Sequence, residues 1–372
     1  MTNLGDITRQ FSMEGATHLY SSFPAMLTPA DLYRVKDNPA HKEALSGCNI
    51  YLIARRLRIY LKPEGFTLNG RTISGEFLVL REHGMTSVPF VYEICGSSIP
   101  EDVPIEDVAV ALNGTSLIIM TPAGKQFIAV NAIIAAAKSL LTPHDTDLEV
   151  LYVGQAIGRT SSRNALDRLL SHNKLQQILA ETSTHFPERE VLLLLYRFEH
   201  GKMIISNGGD FNVAAQASNE QDSAHMDRLR NVRLDRKEVV SLAEAGLINY
   251  FKPHYNTLIK TNNFSSKDKL KVLKQLLNKG IAGLVLELCS VNLRSRIGTV
   301  HAVPIDLTEM MQDEVLDGRN LEDDGTKEQL KEQLKQMAHT HYARFPLTTT
   351  EERNTFLHGT TFVGQTEEPL NW

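Results

Sequence analysis

Read for the alternation of apolar and polar positions, the chain divides into three stretches. In the first, residues 1–145, period-two runs dominate. GFTLNGRTISGEFLVL (65–80) is two alternating runs around Asn69-Gly70, the strongest short hairpin signal. VPFVYEIC (88–95) and TSLIIMTPAGKQFIAV (115–130) continue the strand pattern. LTPADLYRVK (27–36) interrupts them with a helix capped by Thr28 and carrying Pro29 in its first turn. This part is predicted to be a strand-rich accessory domain, and LLTPHDTD (140–147) marks its end.

The second stretch, 146–275, changes character. LEVLYVG (148–154) predicts a strand, QAIGRTSS a loop, and the following residues a helix from about Arg163 to Leu179. EVLLLLYRFEHGKMIIS (190–206) predicts a strand that turns at His200-Gly201-Lys202 into another extended run. NGGD and the polar AAQASNEQDSAHMD are read as one long loop. DRKEVVSLAEAGLINYF (235–251) is a helix opened by Asp235 and stopped by Pro253. The third stretch, 276–372, reads as a mixed α/β accessory region. AGLVLELCSVNLRSRIGTVHAVPI (282–305) gives two strands, DEVLDGRNLEDDG a solvated acidic loop, and a charged helix starts near Thr326. The tail after 340 has no clear period.

One polar position breaks the pattern of the 235–251 helix. Val240, Glu244, Leu247, Ile248 and Phe251 share the spacing of a single helical face, so Glu244 sits within an apolar stripe. An ionised carboxylate there is costly unless it is paired or holds a metal. Arg168 and His172 are four apart on the preceding predicted helix, and His172 is three from both Leu169 and Leu175. Taken singly, Arg168 reads as a surface residue, His172 as a boundary histidine and Tyr152 as an ordinary strand tyrosine. Together with Glu244 and the downstream Pro253, Tyr255 and Asn256 they form a constellation.

Composition narrows the class. The 372 residues are 42% hydrophobic and 22% charged, ordinary for a globular protein with a sizeable core. The start, MTNLGDITRQF, shows no basic-then-apolar leader, and AVNAIIAAAKSLL (129–141) is too short for a membrane span. Cys48, Cys95 and Cys289 are widely spaced, so neither a disulfide framework nor a zinc site is expected, which fits the cytoplasm. His339 and His341 have no evident partner ligand, and His358 is too far along to join them. Net charge is −5, yet residues 151–280 hold 19 Lys and Arg against 13 Asp and Glu, or +6, leaving −11 for the remainder. A basic middle in an acidic chain is the footprint of a polyanion-binding region, and equally that of an unevenly charged solvated surface.

LYVGQ (151–155), RLLSH (168–172) and EAGLINYFKPHYN (244–256) resemble the second, helical and terminal motifs of the GIY-YIG nuclease superfamily. That group includes homing endonucleases, some restriction enzymes and the first nuclease domain of bacterial excision-repair proteins. The likeness covers roughly a third of the chain, and the last motif is closest to the repair branch. It implies an α+β fold with a small antiparallel sheet flanked by helices. The implied activity is a magnesium- or manganese-dependent endonuclease cutting DNA phosphodiesters, in bacterial genome defence or repair. On this resemblance Tyr152 stands near the nucleophile and Arg168 steadies charge on the phosphate. His172 matches a histidine of some members, Glu244 is the metal-binding carboxylate, and Asn256 supports the site. A magnesium ion suits such a site because it keeps several waters and asks few protein ligands.

One motif is missing. The family's first motif, a Gly-Ile-Tyr-like strand, belongs about a dozen residues before Tyr152, where this chain reads SLLTPHDTDLEV. KQFIAVNA (125–132) is the nearest candidate strand, but Phe127 cannot transfer a proton. Tyr152, His172 or a metal-bound water would have to act as the base. Two functions therefore stand open: a DNA endonuclease whose outer regions choose the target, a protein partner or a second copy in a homo-oligomer, and a non-catalytic nucleic-acid-binding or regulatory protein on the same scaffold. A buried ion pair of Glu244 with an arginine is the structural alternative.

Overall fold

The computed structural model describes residues 9–96, 99–157, 165–201, 203–206, 214–256, 267–307, 309–312 and 324–348. First come β1 (Glu14–Ser21), β2 (Ala25–Leu27), α1 (Asp31–Lys36), α2 (Pro39–Ala44) and the long β3 (Ile50–Leu61). Then follow β4 (Thr67–Asn69), β5 (Thr72–Arg81), β6 (Gly84–Glu93), β7 (Asp107–Val110), β8 (Ser116–Thr121), β9 (Gly124–Ala129), α3 (Val130–Ala136), β10 (Lys138–Ser139) and α4 (Pro143–Thr146). The middle holds β11 (Leu148–Gln155), α5 (Ala165–Leu169), α6 (Asn173–His185), β12 (Arg189–Tyr196), β13 (Phe198–His200), β14 (Ile204–Ser206), α7 (Asn219–Arg230) and α8 (Arg236–Phe251). After it lie α9 (Lys267–Asn278), β15 (Ile281–Cys289), β16 (Ile297–Gly298), α10 (Asp324–Ala338) and β17 (Thr340–Pro346). Helices and mixed, largely antiparallel sheets make this an α+β protein, as expected.

The opening of β3, Ile50-Tyr51-Leu52-Ile53-Ala54, is apolar at every position because both of its faces are covered. Ile50, Leu52 and Ala54 join the core around α8, whereas Tyr51 and Ile53 join a second core with Leu166 and Leu169 of α5 and Leu175 and Ile178 of α6. β3 is also the spine of its sheet. Residues Ile50 to Arg55 pair antiparallel with β11 on one side and β12 on the other, while Arg58 to Leu61 pair with β5.

A second sheet runs β13-β1-β15-β17, with β14 also on β1 and the β1–β15 pair parallel. α8 lies between the two sheets, which is why its apolar residues are spread round the helix: Val239, Val240, Leu242, Ala243, Leu247 and Ile248 are all buried. Gly246 is needed on the second-sheet side. A Cβ there would come within 2.1 Å of Leu286 Cδ1. The helix begins with a reciprocal cap between Asp235 and Glu238 and ends at Lys252 in the left-handed region, φ 46°, just before Pro253.

Several expectations are corrected. The boundaries at 145 and 276 do not separate folding units, because β2 and β3 share a sheet with β11 and β12, and β1 pairs with β13, β14 and β15. The stretch from β4 to β10 builds a further core of residues such as Ile73, Phe77, Phe90, Leu117 and Ile133 on the far end of β3, with β5, β6 and β10 continuing the same sheet. The helix expected from Arg163 to Leu179 is two helices, α5 and α6, broken at His172; its first residues lie outside the described ones. The polar stretch after 214 contains α7, started by a cap between Ser218 and Gln221. The tail after 340 contains β17, paired along β15. Cys48 and Cys289 are buried but Cys95 is exposed. Among the described residues no helix is long and apolar enough to cross a membrane.

Candidate functional site

The site grows from the register of β3 against β11. Tyr51 stands directly opposite Gly154, and Ile53 opposite Tyr152, so both phenols rise on the face covered by α5 and α6. Gly154 leaves the room they occupy. A Cβ at that position would lie 2.5 Å from Tyr51 Cζ and Oη and 2.8 Å from Tyr152 Cε1. The two tyrosine rings sit 6.2 Å apart, and the His172 ring joins them at 5.5 Å from Tyr51 and 5.3 Å from Tyr152. Tyr51 is fully buried and Tyr152 half-buried.

His172 reaches this cluster because it ends one helix and starts the next. Its backbone is extended, its Nδ1 accepts the Leu175 N–H at 3.2 Å, and its Nε2 lies 3.0 Å from Tyr51 Oη. Burial, then the nearby cations Arg168 and Lys174, push its pKa down to about 4. Arg168, exposed on α5, donates to the Tyr51 hydroxyl oxygen. Burial raises the pKa of both phenols. Tyr51 is raised further by Tyr152 and Glu244, and Tyr152 by Glu244, against the lowering effect of Arg168 on each. Tyr152 is also lowered by a hydrogen bond donated from Tyr51.

Glu244 is half-buried on α8, close enough for its charge to act on both phenols. Asn256 serves the site at one remove. Its Oδ1 accepts the Val153 N–H at 2.9 Å and its Nδ2 donates to the Val153 carbonyl at 2.8 Å, pairing with β11 as a neighbouring strand would. The Tyr255 N–H adds a bond to the Leu151 carbonyl, so the segment after α8 clamps the Tyr152-Val153-Gly154 strand. The start of β3 is fixed as firmly. Asn49 bonds the Ala156 carbonyl through Nδ2, and Arg236 donates to Asn49 Oδ1 and to the Gly47 and Phe198 carbonyls.

Tyr152, Arg168, His172 and Glu244 thus meet in one place, with Asn256 bonded along the edge of β11. Arg168 and His172 do so across a helix break and not along one ridge. The residue that sequence reasoning missed is Tyr51, roughly a hundred residues upstream of Tyr152. Its signal was the Asn49-Ile50-Tyr51 opening of an unbroken apolar run. The strand expected from KQFIAVNA is instead β9, in a separate three-stranded sheet with β7 and β8, where Phe127 is 65% exposed.

Among the described residues there is no group of three or more His, Cys, Asp or Glu able to hold a metal ion. Within the cluster Glu244 is the carboxylate, the kind of ligand that suits a hard cation retaining most of its waters. Compared with known proteins, the chain matches no family model, no curated protein and no solved structure.

Proposed function

We propose that this chain is a divalent-metal-dependent endonuclease that hydrolyses DNA phosphodiester bonds at the Tyr51, Tyr152, Arg168, His172 and Glu244 cluster. One observation carries the proposal: a tyrosine heading β3 faces Gly154 beside Tyr152, within reach of Arg168 and under the charge of Glu244. That is the arrangement a GIY-YIG centre needs, and Asn49-Ile50-Tyr51 then serves as the first motif. The stretch from Lys62 to Asp147 becomes an insertion between the two motif strands.

The residues divide the work by chemistry. Arg168 is exposed beside two phenols and suits the charge that builds on non-bridging phosphate oxygens. Tyr152, less buried than Tyr51, would act as a phenolate, its ionisation favoured by the charge of a metal held through Glu244; it takes the proton of the attacking water as the oxygen–phosphorus bond forms, and the opposite ester oxygen leaves and takes a proton from solvent. Tyr51 fixes the Tyr152 hydroxyl and takes no proton itself. Magnesium held through Glu244 would supply positive charge, relieving the effect of the carboxylate on both phenols and favouring the leaving oxygen.

The second reading, a nucleic-acid-binding protein without catalysis, draws on the raised phenols, since a protonated tyrosine is no base. Purified chain incubated with plasmid DNA and magnesium or manganese, with and without chelator, separates the two. Cleavage that needs the metal and disappears in Glu244→Gln is the result expected. Metal-independent binding with intact plasmid in every metal would replace the endonuclease reading with the second one.

A further inference from the structure

We propose that His172 is a positioning residue: the first turn of α6 locks its imidazole in the Nε2–H form, and that N–H sets the direction of the Tyr51 hydroxyl toward Tyr152. The role in catalysis rests on the endonuclease reading; the locked form of the ring does not.

The inference follows from counting donors and acceptors. A backbone N–H can only donate, and the Leu175 N–H points at Nδ1 from 3.2 Å. Nδ1 must therefore carry a lone pair, and in a neutral imidazole the proton then sits on Nε2. Nε2 lies 3.0 Å from Tyr51 Oη, so the histidine donates and the phenol oxygen accepts. Arg168 donates to the same oxygen. With its oxygen receiving two donors, Tyr51 gives its own proton to the Tyr152 oxygen. A directed series results: Leu175 N–H to His172, His172 to Tyr51, Tyr51 to Tyr152.

Histidine is an unusual N-cap, since short oxygen-bearing side chains dominate that position. The helix end also works against a second proton on the ring, because the first turn presents partial positive charge. Arg168 and Lys174 add cationic charge that also disfavours the imidazolium, and the rings of Tyr51 and Tyr152 pack against the imidazole. His172 thus has both nitrogens committed and no lone pair to offer a water. It cannot be the base.

Long-range proton–nitrogen NMR correlations on the full chain test this directly, with His172→Asn identifying the signal. The expected spectrum shows an unprotonated Nδ1 and a protonated Nε2 at pH 7, unchanged at pH 6. A proton on Nδ1, or an imidazolium at pH 6, would overturn the proposal whether or not the protein cleaves DNA. Asparagine keeps the cap, as its side-chain oxygen can accept the Leu175 N–H, but is too short to reach Tyr51. His172→Asn should therefore melt close to the parent while the Tyr51 and Tyr152 ring signals shift. In the cleavage assay it should lower kcat about 100-fold with KM little changed, and Tyr51→Phe should add little to it. Unshifted tyrosine signals would sink the positioning role. The expected spectrum in a chain that never cleaves would uphold the locked ring and remove the endonuclease reading alone.

Discussion

Tyr51 and Gly154 face each other across the β3–β11 ladder, and the missing side chain of the glycine is the space the phenol fills. Gly154→Ala puts a methyl 2.5 Å from Tyr51 Oη, which is held by His172 and Arg168 and cannot simply swing away. Overpacking of this kind costs about 1–3 kcal/mol. Urea unfolding should show that loss, and any cleavage activity should fall further than stability alone explains. An alanine variant as stable as the parent would mean that the ladder relaxes freely.

Asn256 satisfies both backbone groups of Val153. Asn256→Ala leaves a buried N–H and a buried carbonyl on the edge of β11, a loss of about 2–4 kcal/mol. Asn256→Asp should be no better, since it sets an oxygen against the Val153 carbonyl in place of the donor. Hydrogen exchange at the Val153 amide reports the effect locally, and it should quicken in both variants.

Two buried histidines and one half-buried one give stability an acid edge. His172, His339 and His341 each have a folded pKa of about 4 against an ordinary 6.5, burial being the first cause in every case. Between those values the unfolded chain binds protons that the folded chain refuses, so their contribution is complete above pH 6.5 and is lost as pH falls towards 4. Each should remove up to about 1.4 kcal/mol per pH unit within that window. Unfolding midpoints measured at pH 7, 6 and 5 should fall steadily. A flat profile would show that the rings are protonated in the native state.

Glu244→Gln should leave the fold intact and lower the pH at which Tyr152 ionises, since the carboxylate raises it. Tyrosine ring signals followed by NMR through the alkaline range provide the measurement. An unchanged Tyr152 would mean that the carboxylate is turned away from the site.

Arg56 has a side chain wholly removed from solvent, between Glu190 of β12 and Asn131 of α3. It joins the site-bearing sheet to the inserted core. Arg56→Met should destabilise by about 1–3 kcal/mol, less than the loss of a deeply buried pair because Glu190 keeps some contact with water. Urea unfolding would detect it, and a neutral result would mean that methionine packs as well as the guanidinium.

The sequence made local patterns legible and distant pairings obscure. α8 was clear, because Asp235 and Pro253 punctuate a long periodic segment. The hairpin at Asn69-Gly70 was equally so, with Gly70 at φ 60°. The break between α5 and α6 was not, since a histidine cap carries none of the usual signals. β17 escaped notice because both of its faces are largely covered, erasing the alternation that marks a half-exposed strand. Glu244 was marked out by the apolar stripe around it, whereas Arg168 drew notice only through the motif resemblance. Tyr51 was hidden because its partner strand arrives only after an entire second core, and no local rule spans that distance.

That interval also fixes when the site can exist. As the chain is made, Tyr51 emerges roughly a hundred residues ahead of Gly154, with β4 to β10 spooled out between them. Closing so long a loop is slow unless the intervening segment first compacts and brings its ends together, which the core around Phe77 and Ile133 is suited to do. Glu244 comes later still. A ribosome-bound chain therefore carries a complete inserted core well before it carries a complete phenol–arginine–carboxylate cluster. A fragment begun at residue 146 would never assemble one, because its central strand would be missing.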